Sequence, residues 1–171
     1  MTYKYLFHYK RYGMLRYLSH LETMKTVERI LRRSGIPLRQ TEGFHQRMKI
    51  SFAQALPTGI IDLAGLFVVS SFERLSDEYL KMVNELSPKG LEFAKIEEVE
   101  EKFRLSKFVE GYDFELIFTR EPNGVPFKTT KVGNVWIAKL YASFNSTVPK
   151  SGEYGQFLTV RKRALISGGA N

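Results

Sequence analysis

One helix is marked more clearly than any other element of this sequence, and it constrains what can form around it. Ser19 is a strong N-cap residue, and Glu22, three residues later, completes the pattern of a capping box. Gly35 and Pro37 end the helix, because glycine tolerates the left-handed conformation at a helix C-terminus and proline does not continue a helix. The sequence therefore predicts a helix between Ser19 and Gly35.

The two faces of this helix differ in chemistry. Apolar side chains recur every three or four residues on the face that we expect to be buried, namely Leu21, Met24, Val27, Ile30 and Leu31. Basic side chains follow the opposite face, namely Lys25, Arg29, Arg32 and Arg33. Such a stripe is suited to a polyanion. It is also explained by favourable charges near the C-terminus of a helix and by a Glu28–Arg32 pair, which need no ligand.

The basic charge of the chain is regional. The net charge is +8, and residues 1–53 hold eleven Lys and Arg against three Glu. Residues 54–111 hold eleven acidic residues against seven basic ones, and residues 112–171 hold four against eight. A basic region beside an acidic one creates a directed field that attracts polyanions, of which nucleic acid is the leading candidate. A membrane surface is the weaker one, because the apolar face of the helix is needed for the core.

Several function classes are excluded or disfavoured. The chain has no cysteine, which excludes a disulfide framework, a thiol nucleophile and a cysteine metal site and fits a reducing compartment. No segment approaches membrane-spanning length, and the N-terminus lacks the apolar run of a secretion signal. His8, His20 and His45 are not at metal-ligand spacings, and no phosphate-binding loop occurs. We expect a cytoplasmic protein with no metal, cofactor or membrane partner.

The order of predicted elements in residues 1–101 is strand, helix, strand, strand, helix, strand. The first strand has an aromatic face from Tyr3 to Tyr9, which we expect in the core rather than as an exposed platform for stacking bases. Ser76 is the candidate N-cap of the second helix, and the acidic strand from Leu91 suits a sheet edge. This order is typical of a ferredoxin-like βαββαβ unit, with two helices on one face of an antiparallel sheet. The fold class is therefore α+β.

The rest of the chain is predicted to be mostly β. Residues 102–111 are a connection, and residues 112–171 form either a β-rich subdomain or an extension of the first sheet. Arg161, Lys162 and Arg163 place consecutive cations on both faces of one strand, which favours an exposed edge.

Five motifs lie between Leu15 and Gly59: L-S-H-L at 18–21, R-R-x-G-x-P-L at 32–38, G-F at 43–44, I-S-F at 50–52 and A-L-P-x-G at 55–59. These motifs resemble those of the radical-SAM-linked protein family, a domain of unknown function found alone or fused to cobalamin-binding radical SAM proteins. The resemblance implies an association with radical SAM enzymes and with RNA metabolism. Without cysteine, this chain holds no CxxxCxxC iron–sulfur motif and is not itself a radical SAM enzyme.

The resemblance implies that this chain is a divergent and shortened member of the radical-SAM-linked family. The family usually has Asn-Pro-His-Pro after Gly-Phe, and residues 45–48 here are His-Gln-Arg-Met. An acidic residue is usual after the Pro-x-Gly turn, and with Ile61 and Leu63 in that region we expect it to be missing. If the family has a chemical site that uses the histidine of Asn-Pro-His-Pro and the acid after the Pro-x-Gly turn, we expect that this chain does not carry out the same chemistry unchanged.

We expect a non-catalytic RNA-binding or substrate-presenting module in RNA processing or modification. The predicted phosphate contacts are Lys25, Arg29, Arg32, Arg33, Arg39, Arg47 and Lys49. Two alternatives remain open. The basic face could instead dock on an acidic protein such as a radical SAM enzyme, without nucleic acid. The less favoured alternative is a metal-independent ribonuclease in which His20 or His45 acts as the base.

Overall fold

A computed structural model describes residues 2–42, 44, 46–144, 146–149, 152 and 154–167. The fold is mixed α+β, with a large sheet and few helices. The strands are β1 Tyr3–Arg11, β2 Ile50–Phe52, β3 Ile61–Ser71, β4 Leu91–Val99, β5 Val109–Phe118, β6 Thr129–Val132, β7 Val135–Ser143 and β8 Leu158–Ile166. The helices are a 3₁₀ helix at Gly13–Tyr17, α1 His20–Arg33, α2 Glu78–Glu85 and the single turn α3 Leu105–Phe108. None of these helices is long and apolar enough to cross a bilayer.

The strands form one hydrogen-bonded sheet in the order β4-β1-β3-β8-β5-β7-β6. Strand β2 pairs with β3 outside this path, so that β4, β1, β3 and β2 are successive antiparallel neighbours. The later strands join them through β3 and β8, where Ile61 and Asp62 pair in parallel with Val160 and Arg161. The two halves of the chain thus share a short parallel ladder.

Both ends of α1 follow the prediction. The Ser19 hydroxyl accepts from the Glu22 N–H at 3.2 Å, and the Glu22 carboxylate accepts from the Ser19 N–H at 2.8 Å. Gly35 has φ +70°, which a glycine adopts without strain. The prediction that Leu21 is buried is wrong, since its side chain is 58% exposed. Thr23 takes the buried position in the first turn, because its hydroxyl oxygen accepts from the buried Arg11 guanidinium at 2.8 Å.

Helix α2 begins later than expected. Its N-cap position is Asp77 and not Ser76, and no side chain caps it with a hydrogen bond. Asn84 instead joins α2 to β4. Its amide nitrogen donates to the Phe93 carbonyl and its oxygen accepts from the Phe93 N–H, both at 2.8 Å. The helix is therefore fixed by its last turn to β4.

Two apolar cores lie on the two faces of the first strands. On one face, the aromatic side chains of β1 and β3 pack against α1 and α2: Tyr5, Phe7, Tyr9, Phe67, Val27, Leu31 and Val83. The aromatic face of β1 is thus core, as predicted. On the other face, Leu6 and Val68 pack against residues of the connection and β5, including Leu105 and Tyr112. The C-terminal half therefore covers much of the face that the helices leave free.

The acidic strand β4 lies at the sheet edge, as predicted, and pairs with β1 alone among the described strands. Its carboxylates contact side chains of β1: Glu92 pairs with Lys10 at 3.1 Å, and Glu97 contacts the His8 ring nitrogen at 2.7 Å. Burial raises the pKa of Glu97, but the hydrogen bonds from Lys95 and His8 lower it by a larger amount. The net pKa of Glu97 is therefore below its usual value. His8 and Lys10 therefore already have carboxylate partners on β4.

The expected exposed edge at residues 161–163 is wrong, because β8 lies between β3 and β5. Arg161 is buried, with 1% of its surface exposed, and forms an ion pair with Asp62. Asp62 stands between Ile61 and Leu63, so the expectation that no acid follows the Pro-x-Gly turn is also wrong. The fold requires this carboxylate as the partner of a buried guanidinium.

Candidate nucleic-acid interface

The seven predicted cations are all exposed, but they do not share one surface. Lys25, Arg29, Arg32 and Arg33 lie on the outer face of α1, whose inner face packs on the aromatic side of the sheet. Arg39 and Lys49 line a depression together with Ser70, on the opposite side of the same sheet. The first sheet separates the predicted surface into two.

The stripe on α1 is a convex helix face. Arg32 is held by Glu28 at 2.7 Å, as expected from their i,i+4 spacing. Lys25, Arg29 and Arg33 form no ion pair within the described chain and keep their charges in solvent. Nothing in this geometry encloses a ligand.

The loop after α1 is fixed by backbone hydrogen bonds. The Arg39 N–H donates to the Ser70 carbonyl at 2.7 Å, and the Lys49 N–H donates to the Arg39 carbonyl at 2.9 Å. The Thr41 N–H donates to the Arg47 carbonyl at 2.7 Å, which brings Arg47 into the same hairpin. Met48, Ile50 and Phe52 pack toward the helices, so Lys49 and Ser51 point to the other face. His45, the second histidine candidate, lies outside the described residues.

A continuous groove runs along that other face. Its first part, of about 360 Å³, lies between Arg39, Lys49 and Ser70. The second part, of about 300 Å³, again includes Lys49 and Ser70 and reaches Lys4 and Arg104. The third part, of about 580 Å³, again includes Lys4 and Arg104. Because neighbouring parts share lining residues, they form one groove, which we call the connection groove.

The connection groove combines a basic rim with a partly apolar floor. Its cations are Arg39, Lys49, Lys4, Lys102, Arg104 and Lys107, against the two acids Glu42 and Glu101. The Lys4 ammonium is oriented by the carbonyl oxygens of Glu101 and Phe103. Val68, Ala53 and Leu105 contribute apolar atoms, and Ser51, Ser70 and Ser106 contribute hydroxyls. The groove can hold phosphates at its rim and flat apolar groups at its floor.

An exposed aromatic ring stands near one end of the groove. Phe72 is 55% exposed, and the Arg39 guanidinium carbon lies 5.3 Å from its ring centroid. Phe44, in the loop after α1, is fully exposed. Exposed aromatics beside cations are the usual stacking platforms for unpaired bases. The aromatic β1, which was the sequence-based alternative for such a platform, is buried.

The sequence interpretation missed four of the six groove cations. Lys102, Arg104 and Lys107 belong to the connection within the net acidic region, and Lys4 is on a strand whose other face is core. The spacing K-x-R-x-x-K was the only available signal. Regional charge counts concealed it, because most acids of residues 54–111 lie elsewhere, on β3, α2 and β4.

His20 begins α1 and packs against the first sheet. Its ring contacts the Phe52 ring edge-on, with centroids 5.6 Å apart, on the helix side of the sheet. Burial lowers the pKa of His20, and the charges of Arg11 and Arg161 lower it further. No group of His, Asp and Glu among the described residues is arranged to hold a metal ion.

A family model described as "Uncharacterized protein conserved in bacteria (DUF2344)" matches residues 4–167. The chain belongs to this family. The match spans the fold from β1 to β8, so it includes the helix-covered strands, the connection groove and the later strands. No curated protein matches the chain. The family description names no activity, and the function has to be argued from the surface.

Proposed function

We propose that this protein is a non-catalytic RNA-binding or substrate-presenting module, and that the connection groove is its RNA contact. The observation that carries the proposal is a continuous groove with six cations against two acids. Phosphate contacts set affinity without reading sequence, and each one releases counterions from the nucleic acid. The groove therefore supplies affinity, and any sequence preference comes from the exposed aromatics or from a partner.

Single-stranded RNA fits this groove better than a duplex does. An A-form duplex presents its phosphates outside and hides the faces of its bases. The exposed Phe72 ring offers surface to unpaired bases, while the rim reaches the phosphates.

We also propose a context for this module, which the fold and the motifs support. The strand order β4-β1-β3-β2 with both helices on one face supports a ferredoxin-like unit in the first half. The motifs between residues 15 and 59 support a link to radical SAM enzymes, with RNA modification as the shared task. The absence of cysteine from the sequence supports a cytoplasmic location.

A second candidate function uses α1 instead. The cations Lys25, Arg29 and Arg33, which have no ion-pair partner in the described chain, point away from the connection groove. The exposed Leu21 lies in the first turn of the same helix, and the exposed Tyr17 ends the preceding 3₁₀ helix. Cations beside exposed apolar side chains favour docking on an acidic protein surface. The two surfaces can be separated by experiment.

The test compares two double variants with the same change in charge. Lys49→Ala/Arg104→Ala alters the groove, and Arg29→Ala/Arg33→Ala alters α1, and all four side chains are exposed and without ion pairs in the described chain. Binding to labelled single-stranded RNA, transfer RNA and duplex DNA is followed by fluorescence anisotropy across a salt series. We expect the groove variant to bind single-stranded RNA at least about tenfold more weakly, with a salt slope reduced by about 1.4 for two lost contacts.

Three results would decide against the groove. Equal losses in both variants would make the binding generic, and a loss confined to the α1 variant would assign the contact to the helix. Binding that is indiscriminate and absent near physiological salt, together with a nuclease-resistant pull-down of one stoichiometric protein, would favour the docking function. Cleavage of the RNA in EDTA that is abolished by His20→Ala would favour the ribonuclease.

A further inference from the structure

A second basic site lies inside the molecule, next to the first turn of α1. Arg11, Asp62 and Arg161 stand opposite one another on the adjacent strands β1, β3 and β8. Their exposed fractions are 3, 1 and 1%. This row carries two positive charges and one negative charge in a place where charges are rarely tolerated without partners.

The single carboxylate in this row is committed to Arg161. The Arg161 Nε donates to Asp62 Oδ1 at 2.8 Å, and its Nη2 donates to Oδ2 at 2.5 Å. Oδ1 also accepts from the Ala64 N–H at 3.1 Å. Asp62 therefore neutralises one arginine and leaves the charge of the other uncompensated.

Arg11 is bound through one edge only. Its Nη1 donates to the Leu18 carbonyl at 3.0 Å and to the Thr23 hydroxyl oxygen at 2.8 Å, both of which are neutral. Its Nε and Nη2 find no acceptor among the described residues. These two atoms form the edge of a guanidinium that grips an oxyanion with two parallel hydrogen bonds, and Arg161 uses the same edge on Asp62.

Further unpaired polar atoms belong to the same cluster. Within the described chain, the Arg161 Nη1 and the Tyr112 Oη are buried without an acceptor or donor partner. The Arg161 guanidinium carbon lies 4.3 Å from the centroid of the Tyr112 ring, so these two residues are in contact. Water would satisfy the hydrogen bonds but would leave the net charge of the row. An anion supplies both acceptors and charge.

The position beneath α1 adds to the positive potential. The half-buried His20 begins α1, whose backbone N–H groups carry partial positive charge. The charges of Arg11 and Arg161 contribute to lowering the pKa of His20, after burial, which places the histidine within the field of both arginines. His20 is only partly buried and marks the side from which solvent reaches this region.

We propose that Arg11 and Arg161 bind one small oxyanion, a phosphate or carboxylate group, beneath the first turn of α1. Arg11 donates from Nε and Nη2, Arg161 donates from Nη1, and the Tyr112 hydroxyl donates a further hydrogen bond. The site shares no residue with the lining of the connection groove and does not depend on RNA binding. We call it the buried oxyanion site.

The first test uses the unaltered protein. Sodium phosphate, sodium sulfate and sodium acetate are titrated at constant ionic strength against sodium chloride, with thermal unfolding and the side-chain ¹H–¹⁵Nε resonances of arginine as readouts. We expect a saturable rise in Tm and a shift of the Arg11 Nε resonance, with that of Arg29 unchanged. A response to phosphate and sulfate assigns a phosphate-bearing ligand, whereas a response to acetate alone assigns a carboxylate.

The second test uses variants matched in charge. Arg11→Gln should abolish the saturable rise in Tm, and Arg29→Gln, on the outer face of α1, should preserve it. Tyr112→Phe should weaken phosphate binding several-fold; if its hydroxyl has no ligand, removing it leaves the titration unchanged. If Arg11→Gln does not fold, the Nε titration of the unaltered protein and Tyr112→Phe decide.

The proposal is overturned by a Tm that follows ionic strength alone, by an Arg11 Nε resonance that no anion shifts, or by equal phosphate responses in Arg11→Gln and Arg29→Gln. Each of these results would mean that water alone occupies the free edge of Arg11. A groove variant that loses RNA binding but keeps the phosphate response would show that the buried oxyanion site is independent of the groove.

Discussion

Two arginines on β8, two residues apart, each donate two hydrogen bonds from Nε and Nη2 to an aspartate, but in opposite surroundings. Arg161 donates to Asp62 at 2.8 and 2.5 Å, and Arg163 donates to Asp113 at 3.0 and 2.6 Å. The first pair has side chains that are 1% and 2% exposed, whereas those of the second are 70% and 35% exposed. The hydrogen-bond distances of the two pairs are nearly equal, but water reaches only the Arg163 pair.

This difference decides what each pair contributes to stability. Burial lowers the pKa of Arg161, and the charge and hydrogen bonds of Asp62 raise it by more, so that the net pKa lies above its usual value. Removing one partner of such a pair leaves a buried charge without compensation. The Arg163 pair is solvated and screened, and either partner can return to water. The length of an ion pair is therefore a poor measure of its energy.

The largest expected effect is that of Asp62→Ala. It leaves both Arg161 and Arg11 buried without a carboxylate, which should lower the free energy of unfolding by about 3–5 kcal/mol. Urea denaturation measures this change. A loss no larger than that of Asp113→Ala would show that water reaches the Arg161 pair and would remove the contrast between the two.

Replacing both buried partners should cost much less than removing one. Asp62→Leu/Arg161→Met removes one charge of each sign, so the net charge of the buried row does not change. Apolar side chains in place of a buried pair are often neutral or stabilising by about 1–4 kcal/mol. We expect a urea midpoint closer to that of the unaltered protein than to that of Asp62→Ala. A double variant as unstable as the single one would mean that Arg161 packing, and not charge, dominates.

The exposed pair should respond weakly. Asp113→Ala removes the partner of a guanidinium that water can solvate, so we expect a change of about 0–1 kcal/mol in the free energy of unfolding. The same urea experiment in high salt should reduce that difference further, because surface charges are screened. A larger effect would show that the β5–β8 ladder depends on this cross-strand pair.

The smallest expected effect concerns His20, which lies in the field of Arg11 and Arg161. Its folded-state pKa is below the unfolded value, so between these two values the unfolded chain binds more protons. Stability should therefore fall as the pH drops below about 6.5, and this loss should cease below the folded pKa. Stability measured against pH checks this, since His20→Gln should remove the slope and Arg163→Gln should leave it intact. A slope that survives His20→Gln would assign it to another group.

The helix-covered half of the fold was readable because its signals are local. The capping box at Ser19 and the left-handed Gly35 act within a few residues, and the alternation of β1 predicts its aromatic face. The acidic edge strand β4 follows from the same kind of pattern. Strand β6 was missed, because Thr129–Val132 is short and mostly exposed and has no apolar face to mark it.

The candidate site was predicted in part. Arg39 and Lys49 were identified from charge, and the hairpin places both on the connection groove. The α1 cations were grouped with them because they are near in sequence, but the sheet lies between. Lys4 and Arg104 meet in the groove although they are far apart along the chain, and a regional charge count does not contain that information.

By itself, the sequence determined the capped helix, the aromatic strand, the acidic edge and the excess of positive charge. Only the tertiary structure decided which of those charges face water. Arg161 and Arg163 carry the same residue type on one strand, and Asp62, ninety-nine residues away, stands beside only the first of them. Whether a charge is buried depends on which distant strand pairs with its own, and local pattern does not encode that pairing.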